Sequence, residues 1–328
     1  EGVVPSPRLY NAMCGAYMHC SYAHGEQKHD FKRVMHKMLR KMVLPHVEEV
    51  KPGPALRKDR PTVLVVFEWW HSKHAMYRSY AQSIRQLKRD FRIVGCCPGT
   101  QSDQESQDLF DEWMPFDVNA EQMVLAHIAD KIKSVNADMI YYPSIGMAVW
   151  VMSMASLRLA PIQVMTYGHP ATSNSPEIDY GLIEADCLVE SRFSEKMVAL
   201  PNNTVRPVPY GRVDVRHKPR RTDVVRIAVA AMQGKVSWPF IRTLQMIQER
   251  ANKKVEVVFF SATMGVGMHS MANELAKLVA NVVVQEQQQY GEYMESLAEC
   301  DICLFSFPFG GANSAYDALT LGLPMVSL

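Results

Sequence analysis

The sequence carries almost no excess charge of either sign, since 35 Lys and Arg balance 34 Asp and Glu and leave a formal net charge of +1. That balance argues against binding to nucleic acid or to an anionic membrane surface through overall charge. The sequence also lacks an apolar run long enough to cross a bilayer, and it lacks a signal sequence. A globular protein remains, and 328 residues, 48% of them hydrophobic, suffice for two domains.

Seven cysteines, an odd number at irregular spacing, argue against a framework of disulfides. Most lie among apolar residues, so we expect reduced, buried thiols and a cytoplasmic protein. Cys300 and Cys303 form a Cys-x-x-Cys pair, but a zinc site of this kind needs a second pair nearby. We therefore predict no metal site and no redox role for these cysteines.

Residues 6–48 have apolar side chains at helical spacing, and the proline-rich residues 51–54 end that pattern. We predict a helical segment at residues 1–54, left from a truncated all-α domain. The sequence starts at Glu1 and stops within a predicted strand at residues 323–328. We therefore expect the natural protein to continue in both directions.

From residue 61 onward, β-branched apolar runs alternate with helical segments. The predicted strands are residues 62–67, 91–97, 138–142, 163–167, 186–190, 226–232, 255–261, 282–285 and 302–305. The predicted helices are residues 77–88, 123–134, 239–249, 271–279, 290–300 and 315–321. Continuous apolar strands that alternate with helices indicate a parallel sheet covered on both faces.

A segment rich in proline and arginine interrupts this alternation at residues 205–223, after which the pattern starts again. We predict an α/β protein whose two Rossmann-like halves, residues 55–210 and 211–328, face a cleft. This is the GT-B fold, which many sugar-nucleotide enzymes share. The fold alone does not name an activity.

The most informative motif is the glycine turn at residues 307–311, which lies between a predicted strand and a predicted helix. Backbone N–H groups at a helix start have no partner within the helix and lie at its positive end. The turn is therefore a candidate phosphate site, and Asp317, one helical turn further on, is placed to accept hydrogen bonds from a ribose. An ordinary strand–turn–helix joint would have the same pattern.

Three further loops follow predicted strands, where open α/β sheets place their ligands. His71 and His74 lie at a predicted helix start, which lowers a histidine pKa, and either could exchange a proton or donate to an oxygen. Gly168 and His169 belong to a loop of small polar residues. Lys235 is placed to neutralise a diphosphate as it leaves. A surface histidine, a plain strand-exit turn and a solvated lysine are the alternative interpretations.

Taken together, these stretches resemble the bacterial cytoplasmic protein N-glycosyltransferases that modify high-molecular-weight adhesins, which are related to the O-GlcNAc transferases. The matching segments occur in the same order and span nearly the whole chain. They are residues 18–23, 74–78, 167–172, 178–180, 193–196 and 307–310, with Lys235, Asn313 and Asp317. The resemblance implies a GT-B enzyme that moves a hexose, usually glucose, from a UDP-sugar to the asparagine of an Asn-x-Ser/Thr sequon. It also implies inversion at the anomeric carbon without a metal or cofactor.

The resemblance assigns roles to the UDP-binding half of the chain. Lys235 would contact the UDP phosphates. Gly310, Gly311 and Asn313 would cradle the diphosphate, and Asp317 would hold the ribose. Without a divalent cation, the charge on departing UDP must be met by the lysine, backbone N–H groups and a helix dipole.

Residues of the other half complete the implied donor site. His74 would face the donor sugar and phosphates and is a candidate for the group that accepts the proton of the acceptor amide. Gly168 and His169 would also line the donor site. The implied partners are a UDP-hexose and an acceptor protein such as an adhesin, with no nucleic acid and no membrane span.

The chain departs from the family at two places. Residues 232–234 read Met-Gln-Gly where relatives carry a hydroxyl residue or glutamine, and residues 287–289 are glutamines where relatives tend to have histidine. Both changes touch the uracil and phosphate side of the predicted site. Three other functions stay open beside the N-linked transferase: an O-linked transferase, an isomerase like UDP-N-acetylglucosamine 2-epimerase, and a degenerate subunit that only binds a partner.

Overall fold

The computed structural model describes residues 7–53, 59–118, 122–202, 204, 206–208, 210 and 223–328. The chain forms two compact units. The first holds the chain up to Ser21 and Gly25–Tyr210, and the second holds Tyr22–His24 and Gly211–Leu328. Most of the predicted boundary segment, residues 205–223, and the end of the predicted helical segment at residue 54 lie outside the described residues. The predicted domain limits therefore stay predictions.

The first unit is built on a sheet of seven parallel strands in the order β3-β2-β1-β4-β5-β6-β7. The strands are β1 Thr62–Val66, β2 Arg92–Pro98, β3 Glu112–Phe116, β4 Met139–Tyr142, β5 Ile162–Thr166, β6 Tyr180–Glu184 and β7 Lys196–Leu200. All five residues of β1 are buried, as a strand covered on both faces requires. The strand order reverses beside β1, which lies between β2 and β4.

Six helices accompany this sheet among the described residues. They are α1 Pro7–His19, α2 Asp30–Val43, α3 Ala75–Leu87, α4 Gln104–Gln107, α5 Gln122–Ser134 and α6 Val149–Met154. Helix α2 buries Met35, Leu39 and Val43, which recur every four residues and form one apolar stripe. Helices α1 and α2 contact each other, and both contact α6. The first two helices are thus part of the core of this unit.

The second unit has a parallel sheet of five strands in the order β10-β9-β8-β11-β12. The strands are β8 Val224–Val229, β9 Lys254–Phe260, β10 Val282–Gln285, β11 Ile302–Leu304 and β12 Met325–Val326. The helices are α7 Trp238–Arg250, α8 Gly265–Leu278, α9 Tyr290–Ala298 and α10 Ala312–Thr320. Two separate apolar clusters contain side chains of this sheet. Its strand order reverses beside β8, as it does beside β1 in the first unit.

The prediction of a strand at residues 186–190 is wrong. The strand of this region is β6, Tyr180–Glu184, and a short 3₁₀ turn follows at Ala185–Cys187. Burial alternates along β6, so it lacks the continuous apolar run that identified the other strands. Strands β3 and β7 were not predicted because they lie at the edges of the sheet and are partly exposed. Helix α6 was missed because all of its residues are buried and no polar face marks its period.

A buried polar network fastens helix α2 to α1, to the residues after α6 and to the loop after β5. The imidazole of His36 lies 2.7 Å from the Ser156 hydroxyl and 3.1 Å from the Tyr17 hydroxyl. The Lys32 ammonium donates to the carbonyl of Thr172 at 2.9 Å and lies 4.6 Å from the centre of the Tyr17 ring. Burial, with the nearby Lys32 charge, lowers the pKa of His36 to about 3. His36 is therefore neutral at every pH at which the protein would work.

We expect the His36→Gln variant to have a weaker pH dependence of stability than the wild type. In the unfolded chain His36 titrates near its ordinary pKa of 6.5, while in the folded chain its pKa is about 3. The unfolded state thus binds more protons in this window, and stability is lost as the pH falls from 6.5. Between pH 7 and pH 5 the wild type should lose about 2 kcal/mol more than the variant. Urea denaturation followed by circular dichroism measures both slopes, and equal slopes would contradict the assignment.

Candidate active site

In the first unit, a carboxylate of the protein lies at the position where the strand order reverses. Glu68, which follows β1, is 2% exposed. Its carboxylate accepts from the backbone N–H groups of Gly146, Met147 and Ala148 at 2.8, 2.6 and 2.9 Å. The Ser144 hydroxyl donates to it as well, at 2.8 Å. These donors lie before α6, where an open α/β sheet often binds an anionic ligand, and Glu68 uses them instead.

The equivalent point of the second unit has no such carboxylate among the described contacts. The loop after β11 leads into α10 through Gly311, which is the N-cap residue and provides no side-chain hydrogen bond. The loop after β8 carries Lys235, whose ammonium donates to the carbonyl of Gly310 at 2.7 Å. Two loops that were each predicted to contact a diphosphate therefore meet at this lysine.

Lys235 is a half-buried cation that forms no ion pair with any residue the structure describes. Its nitrogen lies 5.0 Å from the ring centre of Phe309 and 5.6 Å from that of Tyr22. Burial lowers its pKa because the charged form is less well solvated there. An ammonium in this state is a ready partner for an anion such as a phosphate.

Asn313 and Asp317 lie within α10, since this helix begins three residues earlier than predicted. The side-chain oxygen of Asn313 is buried and has no hydrogen-bond partner among the residues that the structure describes. Asp317 is 5% exposed and accepts a hydrogen bond of 2.9 Å from the Tyr290 hydroxyl. The sequence patterns indicate no role for Tyr290, which follows the glutamine run and begins α9. Ribose binding by Asp317 stays a prediction.

His74 is the N-cap residue of α3, and its Nδ1 accepts from the backbone N–H of Met76 at 3.2 Å. Its ring stacks near that of Trp69, with the ring centres 5.8 Å apart, and lies 5.4 Å from that of His71. Burial, followed by the charge of His71, lowers the pKa of His74 to about 4. The predicted lowering is confirmed, although burial rather than the helix start is its main cause. In the neutral ring the proton is then on Nε2, which makes His74 a hydrogen-bond donor.

The loop of Gly168 and His169 is held tightly within the first unit. A Cβ atom at Gly168 would lie 2.5 Å from the carbonyl oxygen of Pro143, so no larger residue fits there. His169 is 4% exposed, and its Nε2 lies 2.9 Å from the Ser21 hydroxyl. That hydroxyl also lies 3.2 Å from Nε2 of His29. The donor-binding roles of Gly168 and His169 stay predictions.

The described part of the chain holds no group of three or more His, Cys, Asp or Glu side chains arranged to bind a metal ion. All seven cysteines are free thiols. Within the same residues, every helix is too short or too polar to span a membrane.

Comparison with known proteins supports the resemblance read from the sequence. No protein-family model matches the chain. Two UDP-glucose:protein N-beta-glucosyltransferases, from Actinobacillus pleuropneumoniae serotype 5b (strain L20) and serotype 7 (strain AP76), are each 32% identical over 324 and 320 residues, or 94% of this chain. The predicted resemblance to protein N-glycosyltransferases is thereby confirmed. The chain spans about half of the length of these relatives, 51% in each case.

Solved structures share the fold at low sequence identity. The Thermobaculum terrenum O-GlcNAc transferase, as its K341M mutant, matches with a TM-score of 0.75 and 15% identity over 98% of this chain and 63% of its own. The lipopolysaccharide outer core galactosyltransferase WaaB in its apo form matches with a TM-score of 0.51 and 10% identity over 80% of this chain and 79% of its own. The predicted α/β fold of the GT-B class is confirmed by these matches.

We expect Gly168→Ala to destabilise the first unit, since the added methyl group would collide with the Pro143 carbonyl. Overpacking of this kind costs about 1–3 kcal/mol in free energy of unfolding. The matched control is Gly310→Ala, because a Cβ there meets no atom closer than 3.8 Å. Urea denaturation measures the free energy of unfolding of both variants. An equal loss of stability would show that the collision with the Pro143 carbonyl does not destabilise the protein.

Proposed function

We propose that this chain contains the catalytic part of a UDP-glucose-dependent protein N-glycosyltransferase. Glucose would be moved to the asparagine of Asn-x-Ser/Thr sequons in acceptor proteins such as adhesins. The names of the two relatives support the donor, the protein acceptor and the nitrogen linkage. The observation that carries the site is the Lys235 ammonium, half-buried beside the Gly310 turn without an ion pair among the described residues.

The diphosphate of the donor would bind to the loops after β8 and β11. Lys235 would contact the phosphates, and Gly310, Gly311 and the first N–H groups of α10 would donate to their oxygens. Asn313 lies in this first turn. The buried oxygen of Asn313 has no partner in the described part of the chain, which supports a polar ligand there. Asp317, already bonded to Tyr290, would hold the ribose.

The reaction would be a single displacement that inverts the anomeric carbon. The bond from that carbon to the β-phosphate oxygen breaks, and its electron pair passes to the leaving UDP. The asparagine nitrogen forms the new bond from the opposite face and loses a proton to a general base. Lys235 and the helix N–H groups would stabilise the charge on UDP, which supports a reaction without metal.

His74 would serve this reaction as a hydrogen-bond donor to the donor sugar or its phosphates. With Nδ1 accepting from Met76, the neutral ring has its proton on Nε2 and has no free lone pair for an incoming proton. The pKa of about 4 keeps it neutral through the physiological range. Gly168 and His169 would also contact the donor.

We further propose that the protein works in the cytoplasm. All seven of its cysteines are free thiols, including the neighbouring Cys96 and Cys97. A reducing compartment keeps thiols in that state.

Incubation with UDP-glucose and a peptide that contains one Asn-x-Thr sequon should add one hexose, detected by mass spectrometry. The matched control peptide carries Gln in place of the asparagine and should gain no mass. Addition of EDTA should leave the rate unchanged. A hexose on Ser or Thr would indicate an O-linked transferase instead, and epimerised nucleotide sugar with unmodified peptide would indicate an isomerase.

The Lys235→Met variant should lower kcat by about a hundredfold, the scale of losing one group that stabilises charge in the transition state. Methionine keeps the length of the side chain and removes its charge. Lys254→Met is the matched control, because Lys254 is exposed at the start of β9 and its loss should leave kcat unchanged. Near-normal turnover of the Lys235 variant would refute its proposed role.

A further inference from the structure

Tyr22 belongs to the second unit, although the chain before it, up to Ser21, and the chain from Gly25 belong to the first. Residues Tyr22–His24 are grouped by their contacts with Gly211–Leu328. The Tyr22 ring lies 4.8 Å from the ring of Phe309, centre to centre. Its hydroxyl lies 3.5 Å from the sulfur of Met232, and a Cβ atom built at Gly234 would touch the ring at 3.6 Å. Tyr22 thus contacts both loops of the proposed diphosphate site.

The Lys235 ammonium lies within reach of the rings of Tyr22 and Phe309, which makes these rings the apolar walls of its surroundings. A cation near an aromatic face is attracted by the negative charge density of the ring, and the attraction grows where water is excluded. A lysine side chain has four flexible methylene groups, so without such walls its ammonium would sample many positions. The carbonyl of Gly310 takes one of its three N–H donors and leaves the others for a ligand.

We propose that Tyr22 is a positioning residue for the donor diphosphate. Its ring, together with Phe309, holds the Lys235 ammonium at the Gly310 turn, so that binding of UDP does not have to order a mobile lysine. This inference rests on the proposed function, since it takes Lys235 as the phosphate contact. Tyr22 touches no substrate atom and acts only through the lysine.

The test compares UDP with uridine, which lacks the phosphates. Dissociation constants for both ligands are measured by titration with the wild type, Tyr22→Leu and Tyr22→Phe. Tyr22→Leu should raise the dissociation constant for UDP about tenfold, the scale of one partly buried cation–π contact. It should change the dissociation constant for uridine by no more than about twofold. Tyr22→Phe keeps the ring and should bind UDP almost as the wild type does. Phe31→Leu, an exposed aromatic on α2, is the matched control and should change neither constant.

A double variant separates this inference from the proposed function. If Tyr22 acts through Lys235, adding Tyr22→Leu to the Lys235→Met variant should not weaken UDP binding any further. Equal loss of UDP and uridine affinity in Tyr22→Leu, or no loss of either, would overturn the role of Tyr22 while leaving that of Lys235 intact. If Lys235→Met itself binds UDP normally, the proposed diphosphate site is wrong and the inference falls with it.

Discussion

The proposed chemistry depends on one ammonium that is partly removed from water and has no acid beside it among the described residues. Lys235 is held by the carbonyl of Gly310 and by two aromatic rings, and each of these contacts leaves its positive charge uncompensated. A partly buried charge without a counter-charge destabilises the protein, and the negative charge of a bound diphosphate would offset that loss. The glycine turn and the first turn of α10 gain a function through this neighbour, because a helix start alone attracts an anion only weakly.

The two units use the same strand order for different purposes. In the first unit, Glu68 lies where the strand order reverses beside β1. Its carboxylate accepts hydrogen bonds from the backbone N–H groups before α6. This carboxylate fixes the loop and removes an anion site. In the second, the corresponding loops offer Lys235 and an uncapped helix. The same topology therefore produces a structural carboxylate site in one unit and a candidate nucleotide site in the other.

The helices that precede β1 do more than cover an apolar face. Buried polar groups on α1 and α2, among them Tyr17, Lys32 and His36, bond to loops of the first unit. Ser21 reaches His169 in the same way. The predicted origin of residues 1–54 in a truncated all-α domain is untested, but α1 and α2 are integrated into this unit.

Local sequence patterns determined most of this protein: the apolar strands β1, β2, β4, β5 and β8 to β11, their alternation with helices, and the positions of Lys235 and the glycine turn at the ends of strands. These features follow from interactions within a few residues, which the residue order records directly. Only the tertiary structure decided that Tyr22 contacts Lys235, that Glu68 takes the donors before α6, and that Tyr290 binds Asp317. Such pairs are far apart in sequence and leave no periodic pattern, because their geometry exists only once the strands are paired.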